Sequence, residues 1–84
     1  MVIDTEQLPL YKCHKEVRAV KIERIEWGQY GGASLYLEGF GRHDVAEIWV
    51  AKHSPVEGGY YVRYKDGYSS FSPADAFEEG YTRI

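Results

Sequence analysis

Asp66-Gly67 stands between two β-prone runs, "YYVRYK" and "YSSF", and this dipeptide constrains the fold more than any other feature of the chain. Asp-Gly suits a two-residue type I′ turn, which needs positive φ at both central residues and matches the twist of paired strands. A turn of that length fixes the register. Lys65 falls opposite Tyr68, Tyr64 opposite Ser69, Arg63 opposite Ser70 and Val62 opposite Phe71. Side chains alternate across a strand, so Tyr60, Val62, Tyr64 and Phe71 share one face. Tyr61, Arg63, Lys65, Tyr68 and Ser70 share the other. The first face is the more apolar and is the expected core.

The segment "SPADAFEEGY" after the hairpin carries helix signals. Ser72 is a good N-cap, Pro73 suits a first turn and Gly80 a stop. The predicted helix covers about 73–79, with Ala74 and Phe77 facing inward and Tyr81 packing just past its end. Upstream, "DVAEIWVAKHSP" pairs Asp44 with Glu47 at capping-box spacing. Lys52 and His53 then fall where cations suit the helix dipole, and Pro55 forbids continuation. A two-turn helix is preferred to a strand here, with Val45, Ile48, Trp49 and Lys52 on one face. "YKCHKEVRAVKIERIEW" is expected as a strand on its β-branched density; the helical spacing of Val17, Val20 and Arg24 is the competing pattern. Val20 and Ile22 alternate, then Ile25 and Trp27 alternate in the opposite phase, as a β-bulge produces. "GQYGG" is a loop, "ASLYLEGF" a short half-exposed strand pairing with the one before it, and "GFGRHD" a break. Residues 1–10 are expected as a lead-in, broken by Pro9 and prone to fraying.

A chain of 84 residues makes one domain, here taken as 1–84, and its core is thin. Large rings remedy a thin core, each burying roughly 150–250 Å², so aromatic density does not by itself imply a ligand. The net charge of -3 lacks the basic surplus of a general nucleic-acid binder. The single cysteine, Cys13, excludes an internal disulfide framework. No apolar run approaches the length of a membrane span, and the first residues do not have the order of a signal peptide. A soluble protein of the reducing cytoplasm is expected, with no membrane partner.

The segments "YKCHKEVRAVKI" and "WVAKHSPVEGGYYVRYKDGYSSFSPADAFEEGYTRI" resemble a group of small uncharacterised proteins encoded by tailed phages and prophages. The closing part follows a GGYYVxYxDGYxSFSPAxAFExGYT pattern, while residues 26–43 match nothing of the kind. The family has no assigned chemistry and therefore transfers no site residues. The resemblance implies a phage accessory protein acting in the cytoplasm of an infected bacterium.

Candidate chemistry is sparse. Cys13, His14, His43 and His53 are the zinc-ligand types, yet a zinc site usually draws on two close-spaced pairs. Cys13 and His14 point to opposite faces if they lie in a strand. A buried thiol and partly exposed histidines are preferred, with no metal and no cofactor. No nucleophile elbow or phosphate-cradling loop occurs, and Glu78-Glu79 is expected as a solvated face, so no catalytic residues are assigned. Lys12, His14, Lys15, Arg18, Lys21 and Arg24 form a basic stretch interrupted by Glu16 and Glu23, most simply a solvated strand face. The hairpin face of Tyr61, Arg63, Lys65 and Tyr68 alternates ring and cation. Those residue types are enriched in interface hot spots and also stack on bases; stabilisation of an exposed hairpin is the plainer account.

The expected architecture is α+β. It comprises a small, mostly antiparallel sheet of four or five strands, open or partly rolled into a barrel-like form, with a short internal helix and a short C-terminal helix. The leading functional expectation is a non-enzymatic module that binds a host or phage protein through Tyr61, Arg63, Lys65 and Tyr68. The alternatives are a nucleic-acid-binding module using the same rings with Lys12, Lys15 and Arg18, and a structural or assembly component, including a homodimer joined at a sheet edge.

Overall fold

The computed structural model describes residues 2–12 and 16–83; the expectations for Cys13, His14 and Lys15 lie outside the described residues. In chain order, a 3-10 turn at Thr5–Gln7 precedes strands β1 (Leu10–Lys12), β2 (Glu16–Trp27), β3 (Ala33–Leu37) and β4 (Gly41–Val45). Helix α1 (Glu47–His53), strands β5 (Tyr60–Arg63) and β6 (Ser69–Ser72), helix α2 (Ala74–Gly80) and a two-residue β7 (Thr82–Arg83) follow. β-Branched density over 16–27 yields the strand expected there, now the longest element. Its 12 residues, at about 3.3 Å each, match the molecule's longest dimension of 37 Å.

The seven strands among the described residues join one antiparallel sheet in the order β4-β3-β2-β1-β7, with β5 on β2 and β6 on β5. Among the described residues the sheet stays open, since β4 pairs only with β3 and β6 only with β5. The α+β class holds, but the strand count exceeds the expected four or five and the barrel does not close. The largest omission is β4, which occupies the segment taken as a break. Gly39 and Gly41, both at positive φ, turn the chain tightly, and "GRHDV" then pairs along β3 from Leu37↔Gly41 to Ala33↔Val45. Polar residues conceal that strand, although its alternation is regular: His43 points inward and is 5% exposed.

The phase slip in β2 is a bulge, with the register against β3 shifting by one between Ile22 and Arg24. It keeps both Ile22 and Ile25 buried. Trp27 shares that phase but lies beyond the core at the strand's end, 62% exposed.

Two cores lie on opposite faces of β2 and β5. The larger gathers Leu8, Val20, Ile22, Ile25, Leu35 and Tyr61 among others, with Trp49 and Val50 of α1 packed against it. The smaller gathers Val17, Ala19, Tyr60, Val62 and Phe77. Phe77 stacks on Tyr60 (4.4 Å) and Tyr81 (4.5 Å) and meets Tyr11 edge-on (4.8 Å). Burying such a ring contributes about 1.5–3 kcal/mol. Ala74 and Phe77 do face inward, and Tyr81 packs just past α2.

Several local expectations need correction. The lead-in is tied down: Leu8 is fully buried and Ile3 packs on the larger core. The Ile3 N–H donates to Nδ1 of His43 at 3.3 Å. The capping box does not form, because Asp44 belongs to β4 and its carboxylate accepts from Ser34 (2.7 Å) and Arg42 (2.8 Å). Helix α1 starts later, with Ala46 as a cap lacking a side-chain bond. It turns Trp49 and Val50 inward and leaves Ile48 79% exposed. Ser72 likewise does not cap α2; it ends β6, and Pro73 holds the cap position.

Candidate functional site

The β5–β6 connection determines which hairpin residues reach the surface. Three residues, Lys65, Asp66 and Gly67, separate Tyr64 from Tyr68. Gly67 donates to the Tyr64 carbonyl at 3.0 Å, and Tyr64 donates to the Tyr68 carbonyl at 2.8 Å. Gly67 has φ +94, and the Asp66 carboxylate accepts from the Tyr68 N–H at 2.9 Å. This is a type I turn closed by a left-handed glycine, the three-residue alternative to the expected two-residue turn. One extra loop residue slips the register by one, and a slip of one exchanges faces. The observed pairs are Arg63↔Ser69, Val62↔Ser70, Tyr61↔Phe71 and Tyr60↔Ser72.

The slip carries Tyr68 to the face of Tyr64, whose ring lies 6.0 Å away, and the face of Tyr61 is itself core, so the expected ring-and-cation face is dispersed. Tyr61 is only 4% exposed, between the rings of His43 (5.0 Å) and Trp49 (5.7 Å), and burial pushes its phenol up from the ordinary value. Arg63 forms an ion pair with Glu6. Lys65 and Tyr68 stay exposed at the hairpin tip. They join Tyr64, Glu16 and Asp66 around an open hollow of ≈ 460 Å³. Tyr68 is already attended there: Lys52 sits 5.0 Å over its ring, and the His53 ring meets it edge-on at 5.8 Å.

The basic stretch is also largely engaged. Arg18 donates to the Leu8 carbonyl at 3.0 Å. Lys21 lies 3.6 Å from Glu78. Arg24 pairs with Glu26 at 2.8 Å and stacks 3.8 Å over Tyr36. Lys12 is exposed at the end of β1, while Lys15 lies outside the described residues. No group of three or more His, Cys, Asp or Glu among the described residues could hold a metal ion. No helix among them is long and apolar enough to cross a membrane.

Sequence reasoning missed a second exposed region, at the turn of the β2–β3 hairpin. Trp27 (62% exposed), Tyr30 (81%) and Ile48 (79%) are carried there by β2, its loop and the first turn of α1. Trp27 ends β2 opposite Ala33, which pairs in turn with Val45, just before α1. The intervening loop is pinned by Gly28 donating to the Gly32 carbonyl at 2.7 Å. A Cβ on Gly31 would sit 2.8 Å from Cγ of Glu47, and one on Gly32 would sit 2.9 Å from the Val45 carbonyl. The loop therefore lies directly on the first turn of α1, and only glycine permits that approach. The signal was a tyrosine between glycines in a loop, where no neighbouring strand can cover its ring.

The fold is similar to the NMR solution structure of the monomeric form of the phage L decoration protein. The TM-score is 0.71 and the sequence identity 30%, over 93% of this chain and 60% of that one. The chain thus spans about three-fifths of that protein's length. No protein-family model matches the chain, and no curated protein does either.

Proposed function

We propose that this domain is a non-enzymatic phage structural accessory that decorates the head by binding its coat-protein lattice. The carrying observation is the likeness to the phage L decoration protein, which extends over 93% of the chain at 30% identity. It agrees with the expectation of a small phage protein and moves the structural alternative ahead of a modulator of a host protein. The nucleic-acid alternative ranks behind both, since of its residues Arg18 is bonded to the Leu8 carbonyl and Tyr61 is buried. Folding in the infected cell's cytoplasm would precede attachment to the head.

The test is co-sedimentation of the purified chain with heads of the phage that encodes it. Binding should saturate at a fixed ratio to coat protein, because a lattice repeats one site. Absence of the chain from the pelleted heads, at concentrations well above that of coat protein, overturns the reading. An affinity for DNA or RNA that falls steeply with salt, without attachment to heads, would restore the nucleic-acid alternative.

A further inference from the structure

We infer that the end of the molecule formed by Trp27, Tyr30 and Ile48 is the face that docks on the head, and that it meets an apolar patch carrying a cationic side chain. This inference rests on the decoration reading and adds the surface and the chemistry of the partner to it.

Three observations carry it. First, three large apolar side chains, 62–81% exposed, are brought to one end by β2, its loop and α1. Tryptophan and tyrosine are the residue types that dominate binding energy at interfaces. Second, the loop is held in place before binding by its own backbone. The Gly28–Gly32 hydrogen bond and the approach of Gly31 and Gly32 to α1 fix the loop that bears Tyr30, so docking has little backbone left to order. Third, among the described side chains the charge at this end has one sign to offer. No lysine or arginine occurs between Ile25 and Gly41, or between His43 and Ala51. Arg24 and Arg42 at the flanks are held by Glu26 and Asp44. The carboxylate of Glu47, beneath the loop, has no ion-pair partner among the described residues. An acid beside exposed rings is complemented by a cation in an apolar setting, and such complementarity sets orientation and partner choice. The hairpin-tip hollow makes the weaker docking face, because Lys52 and His53 already cover Tyr68 and Lys65 lies 3.9 Å from Glu16.

The experiment is the same head-binding assay with affinity measured for the wild type and four variants. Trp27→Ser/Tyr30→Ser should weaken binding by roughly 30-fold or more, as the loss of hot-spot rings does. Ile48→Ser, on a different element, provides the same readout if the double variant does not fold. Glu47→Lys should weaken binding about 10-fold. Added salt should weaken the wild type more than it weakens Glu47→Lys, since screening removes an attraction only the wild type has. Tyr68→Ser should bind within about twofold of the wild type, as a residue outside the interface.

If the wild type does not bind heads, the decoration reading falls and this inference with it. If the wild type binds and folded Trp27→Ser/Tyr30→Ser or Ile48→Ser binds equally well, the decoration reading stands and the face is wrong. Loss of binding in Tyr68→Ser alone would transfer the face to the hairpin tip. Unchanged or tighter binding by Glu47→Lys would overturn the cationic partner.

Discussion

Tyr60 and Tyr61 are adjacent on β5 yet belong to different cores, and that alternation decides what each contributes. Tyr61 fills the larger core between His43, Trp49 and Phe71, whereas Tyr68, 45% exposed, lies over the surface. Tyr61→Ala should therefore cost about 3–5 kcal/mol, the range for losing a buried ring, and Tyr68→Ala under about 1 kcal/mol. Urea unfolding of the two variants separates them; equal costs would mean that Tyr61 is not a core residue. Tyr60 adds a pH dependence. Burial, then its hydrogen bond to Glu78 at 2.8 Å, pushes its phenol up to about 12 from an ordinary 10.0. The folded state thus holds a proton that the unfolded state releases first. The resulting stability is fully present below pH 10 and is lost as pH rises from there through about 12. In urea midpoints taken from pH 9 to pH 12, Tyr60→Phe should lose less stability than the wild type over that window. Parallel curves would show that Tyr60 titrates as an ordinary tyrosine.

Glycines carry the decisive information at the scale of the element, and they act by φ and by clearance. Gly67 closes the β5–β6 loop at φ +94, so Gly67→Ala should destabilise by about 1 kcal/mol. Gly80 ends α2 with nothing within 4 Å of a Cβ and without a positive φ. Gly80→Ala should have the opposite sign and stabilise by about 0.4–1 kcal/mol. Two thermal melts decide the matter, and a shared sign would refute the distinction. The same residues show what was legible in the sequence. Asp66-Gly67 announced the hairpin and the alternation in β2 announced the bulge, because turn and pleat signals are local. The loop length was not legible: Asp-Gly serves a two-residue and a three-residue turn, and the choice depends on how β5 sits between β2 and β6. That one residue moved Tyr68 off the expected binding face, and Tyr61 was lost to that face because β5 carries a core on each side. Strand β4 was concealed because Arg42, His43 and Asp44 are poor strand formers alone and are fixed by pairing with β3. The exposed end was not legible for a similar reason, since only tertiary structure brings Ile48 beside the Trp27–Tyr30 loop.

Strands β2 and β5 bear both cores, so neither core can melt while the other persists, and the molecule should unfold as one unit. Its N-terminal segment is a structural part of that unit. Leu8 is fully buried, Glu6 pairs with Arg63, and Ile3 is bonded to His43. Leu8→Ala should cost about 2–5 kcal/mol despite its position near the chain's start. Acid should loosen the same joint. Burial holds the His43 imidazole below its ordinary value, a shift that neighbouring Asp44 opposes. Nδ1 must also stay unprotonated to accept the Ile3 N–H. The unfolded chain therefore binds a proton that the folded chain refuses. The stability from this residue is complete above the ordinary value of 6.5 and declines as pH falls below it toward the folded pKa. His43→Gln retains a side-chain acceptor without a titration in that range. Between pH 7 and pH 5 the urea midpoint of the wild type should fall more than that of His43→Gln. Tryptophan fluorescence, which in a Trp27→Phe background senses Trp49 alone, and far-ultraviolet circular dichroism should report coincident transitions at both pH values. Equal slopes in the two proteins would remove His43 as the acid-sensitive joint. Separate transitions would show that the N-terminal segment and the α1 side of the larger core can release before the strands do.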